Sequence, residues 1–383
     1  MDNYLGLFLL ITALVSTPYI VKVIKLPISI IEIIIGSLLA YFSLYPDIIL
    51  IDNLAIFGFY YLMFLVGMEI NLENKKIEFV PVIIYLMILN LMSFFIVWSL
   101  NLNYFYLMIF PLMSVGMLKI LSKEYDAKWI KFALITGIIG EFFSIIILTI
   151  LESFHKYGNK PELYYHIAGF LALLIAFWLF FIITKKIFSH KPDLLKVIMP
   201  IQDTNSESFR VGFFLIILLI GIMDIFGFEM ALGSFIAGFF VSNFFTHKEG
   251  LLVHRFSSLG FGIFIPIFFI DVGTNLNLDN FKDIYFLLDV LKIILITITI
   301  HLISVTIFFN KLKKQELFLF ALSHSMPLTL LIVFSTIGVK MEVLDAYEYN
   351  VLIAAAIIEV ILSFSIIKFI LQKNIMEKKN ENV

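Results

Sequence analysis

No cysteine occurs anywhere in these 383 residues. Disulfides, thiolate metal sites and cysteine nucleophiles are therefore excluded, and the redox compartment is left open. Charge is scarce as well: Asp, Glu, Lys and Arg make up 15% of the chain, and the formal net charge is −2. Nothing in that balance points to a nucleic-acid partner. The sequence also holds no His/Asp metal cluster and no Gly-x-Ser-x-Gly elbow. An enzyme is not expected, and no cofactor is implied. Met1-Asp-Asn-Tyr lacks the basic region of a cleavable signal peptide, so the first apolar run is expected to stay as a span.

What the chain does have is apolar bulk. Hydrophobic residues make up 61%, and the mean hydropathy is +1.02. That composition belongs to an all-α polytopic membrane protein embedded in a lipid bilayer. Apolar runs long enough to span fall at about 4–21, 27–44, 53–70, 79–100, 102–121, 130–151, 163–187, 209–227, 229–246, 256–275, 284–309, 315–338 and 348–371. These thirteen runs set an alternation of positive charge. Of the 27 basic residues, only Lys156, Lys160, Lys282, Lys292 and Lys340 go with segments after even-numbered spans. The bias places the C-terminus in the cytoplasm and the N-terminus outside. The whole of 1–383 is read as one membrane transport domain. Residues 1–151 form a first six-span repeat, 163–187 a linking helix, 209–371 a second repeat and 372–383 a short cytoplasmic tail. An offset of seven spans inverts one repeat against the other, a plan common in secondary transporters.

The sixth span carries one carboxylate in its middle, Glu141. Its nearest flanking charges, Lys131 and Glu152, lie ten and eleven residues away. At about 1.5 Å per residue that is roughly 15 Å from either end, near the midplane of a bilayer core. A carboxylate there is expensive to keep and marks a functional site. Gly137-Ile-Ile-Gly-Glu141 is echoed in the thirteenth span by Ala355-Ala-Ile-Ile-Glu359. Two further spans look interrupted. The fifth carries Pro111-Leu-Met-Ser114-Val-Gly116, and the twelfth carries Ser323-His324-Ser325-Met-Pro327-Leu-Thr329. Proline removes a backbone donor, and helices broken at membrane depth are tolerated where they line a polar cavity. A matched pair of breaks points to a transport site. An ordinary kink is the plainer reading of either break alone.

Several stretches resemble the monovalent cation:proton antiporter-2 family, which includes bacterial sodium/proton antiporters and glutathione-gated potassium efflux systems. Leu26-Pro27-Ile-Ser-Ile-Ile-Glu32-Ile-Ile-Ile-Gly36 is similar to its Leu-Pro-x4-Glu-Ile-x2-Gly opening. Leu62-Met-Phe-Leu-Val-Gly67-Met-Glu69-Ile-Asn-Leu72 resembles its LxFLxGLExDL stretch, and Leu232-Gly233-Ser-Phe-Ile-Ala-Gly238-Phe-Phe-Val-Ser242 resembles LGAFLAGLLLS. Phe264-Ile-Pro266-Ile-Phe-Phe-Ile-Asp-Val-Gly273-Thr-Asn-Leu276 resembles FxPIFFxxVGxxL. The four occur in the family's order, and the resemblance covers essentially the whole chain. The resemblance implies a dimerising bundle with a mobile core built on two crossed, discontinuous helices. Met113-Ser114-Val115-Gly116 stands where the sodium/proton branch has Thr-Ser-Val-Gly. Gly140-Glu141 stands where that branch has two adjacent aspartates, and His301 falls where the family often has a lysine.

The expected activity is secondary antiport of Na⁺ (or K⁺ or Li⁺) for H⁺ across a bacterial inner membrane, with Glu141 taking proton and cation in turn. Ser114, Ser144, Thr136, Ser325 and Thr329 are candidate oxygen ligands. His301 is a candidate proton-sensitive partner, or a histidine satisfied between helices. Glu359 is either a second acidic site or, by preference, a carboxylate that fixes the helix crossing. Asp271 could line a vestibule, and His324 could cap a break or sense pH. Glu32 and Glu69 sit near span ends and read as structural, whereas Asp224 and Glu229 read as solvated. One carboxylate suits one-for-one exchange. Glutathione-gated potassium efflux is the near alternative, but that branch commonly carries a Gly-x-Gly-x-x-Gly nucleotide loop, absent from this sequence. A sensor or scaffold that kept the fold and lost transport is the other.

Overall fold

The computed structural model describes residues 3–24, 26–46, 48–68, 79–116, 118, 121–122, 125, 127–190, 206–244 and 249–381. All regular structure among them is helical. In chain order the helices are α1 (Asn3–Ile24), α2 (Ile28–Tyr41), α3 (Ile49–Met68), α4 (Phe79–Ser99), α5 (Tyr106–Ile109), α6 (Lys128–Tyr157), α7 (Pro161–His190), α8 (Glu207–Phe226), α9 (Met230–Phe244), α10 (Glu249–Leu259), α11 (Ile265–Thr274), α12 (Ile284–Ser304), α13 (Lys314–His324), α14 (Leu328–Lys340) and α15 (Ala346–Glu381). Among the described residues ten stretches, some joining two of these, are long and apolar enough to cross a membrane; α2 and α9 are shorter apolar helices. The chain is a multi-pass helical membrane protein.

Local chemistry explains the boundaries. Gly227 ends α8 at φ +70°, a left-handed value glycine adopts without strain, and its N–H closes back on the Asp224 and Met223 carbonyls. The narrow break between the eighth and ninth runs is therefore a real helix end. Glu229 then accepts a hydrogen bond from the Ala231 N–H at the start of α9. The run at 256–275 is one continuous rod with a π-turn at Gly260–Phe264, just before Pro266. Proline offers no N–H and crowds the carbonyl four residues back, and the wider turn absorbs both defects. The run at 102–121 behaves differently. After α5 the backbone leaves the helix over 110–115 and turns helical again at Gly116. The run at 315–338 parts into α13 and α14 around Ser325-Met326-Pro327.

The chain divides into two compact units that cut across its N- and C-terminal halves. The first comprises Met1–Ile24, Ile31–Lys75 and Ile145–Gly273. Its α3 and α9 cross with very close backbones. A Cβ on Gly238 would meet the Phe64 carbonyl, and one on Gly67 would meet the Phe235 carbonyl. Small residues at helix crossings suit a lipid environment, where close van der Waals packing replaces the hydrophobic drive. The second unit comprises Lys25–Ile30, Lys76–Ser144 and Thr274–Val383. It holds α4, α5, the first part of α6 and all of α12–α15. Both interrupted helices belong to it, as do Glu141 and Glu359. Most of α13 and α14 is buried within the protein, whereas most of α7 is exposed.

Candidate ion-binding site

The site begins at the unwound stretch 110–115. Pro111 sits within it, and Leu112, Met113, Ser114 and Val115 follow in non-helical conformation, all buried. Peptide groups outside a helix need partners at membrane depth. Two of them are satisfied by side chains from other helices. The Val115 N–H donates to Glu141 Oε1 at 3.0 Å, from α5's continuation to α6. The Leu112 carbonyl pairs with His301 Nε2 at 3.2 Å, on α12. His301 Nδ1 in turn lies 2.9 Å from the Tyr85 hydroxyl of α4. A carbonyl can only accept, so Nε2 carries the proton and Nδ1 accepts from Tyr85. A neutral imidazole satisfies both contacts at once. His301 thus clamps the unwound backbone; its hydrogen bonds go to Tyr85 and Leu112.

Two glycines on α6 allow this approach. A Cβ on Gly137 would stand 3.0 Å from Val115 Cγ2 and 3.1 Å from the His324 ring. A Cβ on Gly140 would run into Met113, 2.6 Å from its sulfur. The Met113 thioether therefore fills the space over Gly140, beside Glu141. Glu141 itself is 4% exposed.

The remaining expected ligands are distributed unevenly. Ser114 is buried and directly precedes Val115. Ser144 is half-buried and one turn beyond Glu141, on the same side of α6. Thr136 is five residues before Glu141, about 140° round the helix, and its hydroxyl donates to the Phe132 carbonyl at 3.0 Å. It does not share the carboxylate's face. Ser325 and Pro327 lie in the α13–α14 interruption, and Thr329 sits half-buried in the first turn of α14. Glu359 is fully enclosed on α15, with the Ser325 hydroxyl beside its carboxyl. Gly116 opens the helical stretch after the first interruption. Asp271 and Glu32 belong to the other compact unit; Asp271 accepts a hydrogen bond from the Tyr45 hydroxyl at 3.2 Å. Glu69 lies outside the described residues.

Three participants had no signal in the sequence. Tyr85 is one tyrosine in an apolar span. Met113 fills a gap that shows only once Gly140 faces it. The Val115 N–H is backbone. His324 also gains a setting: it is fully buried at the end of α13, its ring centroid 4.6 Å from Phe320 and 6.4 Å from His301. Among the described residues no group of three His, Asp or Glu side chains is placed to hold a metal ion.

This arrangement, a buried carboxylate set against the unwound stretch of an interrupted helix, suits a proton or a small monovalent cation. Comparison with known proteins gives it a family. Residues 9–373 match the family model for the transmembrane domain of sodium/hydrogen exchangers. The chain belongs to the sodium/hydrogen exchanger family. A Bacillus subtilis protein, YjbQ, which carries the name of a Na(+)/H(+) antiporter, is 25% identical over 378 residues, covering 89% of this chain. The chain spans 59% of that relative's length. The Na(+)/H(+) antiporter of Enterococcus hirae is 22% identical, covering 97% of this chain and 99% of its own. In fold, the chain is similar to the sodium proton antiporter MjNhaP1 from Methanocaldococcus jannaschii. The TM-score is 0.65 at 14% identity, over 95% of this chain and 97% of that one.

Proposed function

We propose that the chain is a secondary antiporter that exchanges Na⁺ for H⁺, with Glu141 binding each in turn. The observation that carries the reading is the Glu141 carboxylate, buried midway along the apolar helix α6 and held at 3.0 Å by the Val115 N–H of an interrupted helix. The names of the relatives support the choice of ions.

The physics of the carboxylate gives the coupling. A bare charge at mid-membrane costs about 3 kcal/mol even on the mildest scales. Glu141 neutralised by H⁺ or by Na⁺ avoids that cost. The loaded states pass between the two faces of the membrane, and the empty, charged state is disfavoured about a hundredfold. Exchange is therefore obligatory. Oxygen ligands for the cation come from Glu141, Ser114, Ser144 and the unwound carbonyls. With a single carboxylate the exchange is one-for-one and electroneutral. The protein resides in a bacterial inner membrane as a homodimer, N-terminus outside, and its two halves are inverted repeats. Asymmetry of lysine and arginine supports the orientation.

The test is flux in proteoliposomes. A Na⁺ gradient is imposed and internal pH followed for the wild type and Glu141→Gln. The wild type should move protons against Na⁺, and the variant should not. No exchange in the wild type with Na⁺, Li⁺ or K⁺ overturns the antiporter reading; unchanged exchange in the variant overturns the role of Glu141.

A further inference from the structure

Glu359 stands at the second interruption much as Glu141 stands at the first. It is 1% exposed, in the fourth turn of α15. The Ser325 hydroxyl reaches its carboxyl from the gap between α13 and α14. That hydroxyl already donates its proton to the Leu322 carbonyl at 3.2 Å. A hydroxyl has a single proton, so this one offers the Glu359 carboxyl only a share of it. The other carboxyl oxygen, Oε1, has no hydrogen-bond partner. One turn further along α15, the equally buried Ser363 hydroxyl has none either. Buried oxygens without partners are rare, and each calls for an explanation such as a bound ion or water.

The neighbouring helices supply no fixed positive charge. The basic residues of α12, α13 and α14 are Lys292, Lys314 and Lys340, all exposed. Their remaining ionisable side chains are Tyr285, Asp289, His301, Glu316 and His324. His301 is engaged with Tyr85 and Leu112. His324 turns its ring towards Gly137 and Phe320. On α15 itself the nearest charges are Glu348 and Lys368, eleven and nine residues from Glu359. No basic side chain of these helices is therefore set against Glu359.

We propose that Glu359, with the Ser325 and Ser363 hydroxyls, forms a second ion-binding site, which takes either a proton or a monovalent cation. The binding step is balanced: the protonated carboxyl and M⁺ give the carboxylate–M⁺ pair and a free H⁺. The three side chains offer only oxygen donors, which suits a hard ion such as Na⁺ or Li⁺. The inference rests on the exchanger reading only for the choice of cation. Occupancy of both sites keeps the exchange electroneutral, because each cation displaces one proton.

The experiment counts protons. Purified full-length chain in detergent, in weakly buffered solution, is titrated with NaCl over a range of pH, with choline chloride as control. A pH dye reads protons released per chain at saturation. The wild type should release about two, Glu141→Gln and Glu359→Gln about one each, and the double variant none. Release from Glu359→Gln equal to the wild type overturns the proposal while leaving Glu141 in place. Loss of release in Glu359→Gln, with full release in Glu141→Gln, instead overturns the role of Glu141. Should Glu359→Gln fail to fold, Ser363→Ala serves. It removes a hydroxyl that has no partner, so the fold should tolerate it. The second release should then need several-fold more Na⁺, and an unshifted curve overturns the proposal.

Discussion

The His301 clamp carries a quantitative prediction. Its ring joins three elements: α12, the α4 tyrosine at 2.9 Å and the Leu112 carbonyl at 3.2 Å. His301→Ala would strand the Tyr85 hydroxyl and the Leu112 carbonyl together, in a region with no exposure. Each stranded group costs about 1–3 kcal/mol in a protein core. Measured interhelical hydrogen bonds in membranes are weaker, about 0.6 kcal/mol on average and about 1.7 at most. The lost imidazole also leaves a cavity, so the variant should be destabilised by about 3 kcal/mol, roughly a hundredfold in the folding equilibrium. Tyr85→Phe should cost about 1 kcal/mol. The pair should couple by about 0.6–1.7 kcal/mol in a double-mutant cycle. Reversible unfolding in mixed micelles, followed by fluorescence, measures all four proteins. His301→Gln, which offers one donor and one acceptor, should recover more than half of the loss. A coupling indistinguishable from zero would refute the clamp. So would a His301→Ala protein as stable as the wild type.

The contact between Gly140 and Met113 predicts a second coupling. Gly140→Ala should destabilise by about 1–2 kcal/mol through overpacking, and Met113→Ala in the same chain should relieve most of it; thermal stability in detergent reads both. One-for-one exchange predicts an insensitivity. With a Na⁺ gradient fixed, clamping the proteoliposome potential at different values should leave the end-point proton gradient unchanged. An exchange moving one net charge would shift it by about 2.3 kcal/mol per 100 mV.

The sequence carried the helices well because lipid imposes long apolar runs, and charge marks their ends. The run at 229–246, for example, becomes α9 at Met230–Phe244. Interruptions were legible where proline stood, at Pro111 and Pro327, since a missing donor has a fixed consequence. Glu141 was legible as a lone carboxylate, and its depth follows from counting. What sequence could not give was partnership. The Val115 N–H and Leu112 carbonyl bind side chains 26 and 189 residues away. Those separations have no periodicity to read. His301 stood at the family's lysine position, read as either a proton-sensitive partner for Glu141 or a histidine satisfied between helices; its hydrogen bonds go to a tyrosine and a carbonyl. Thr136 was near Glu141 in sequence, but five residues is the wrong fraction of a turn for a shared face.

Met113 occupies the space over Gly140, where the resembling family would place a further carboxylate beside Glu141. Where that family has threonine and aspartate on facing helices, this chain has methionine and no side chain at all. The volume has moved from α6 to the unwound stretch, and the thioether closes the gap without a charge. A second carboxylate beside Glu141 would have carried its own desolvation cost and its own proton. Its loss removes both, and with them the need for a lysine to balance the pair. A neutral histidine can then occupy the lysine's position as a hydrogen-bonding clamp. On the proposed exchange the departures at Gly140 and His301 go together, each lacking a charge that the resembling family has, and Met113 supplies the volume over Gly140. Restoring a single member should accordingly fail. Gly140→Asp would meet the Met113 sulfur and place a second carboxylate with no cation to face it. Only the set, with Met113→Thr and His301→Lys, should give a folded exchanger whose transport responds to membrane potential.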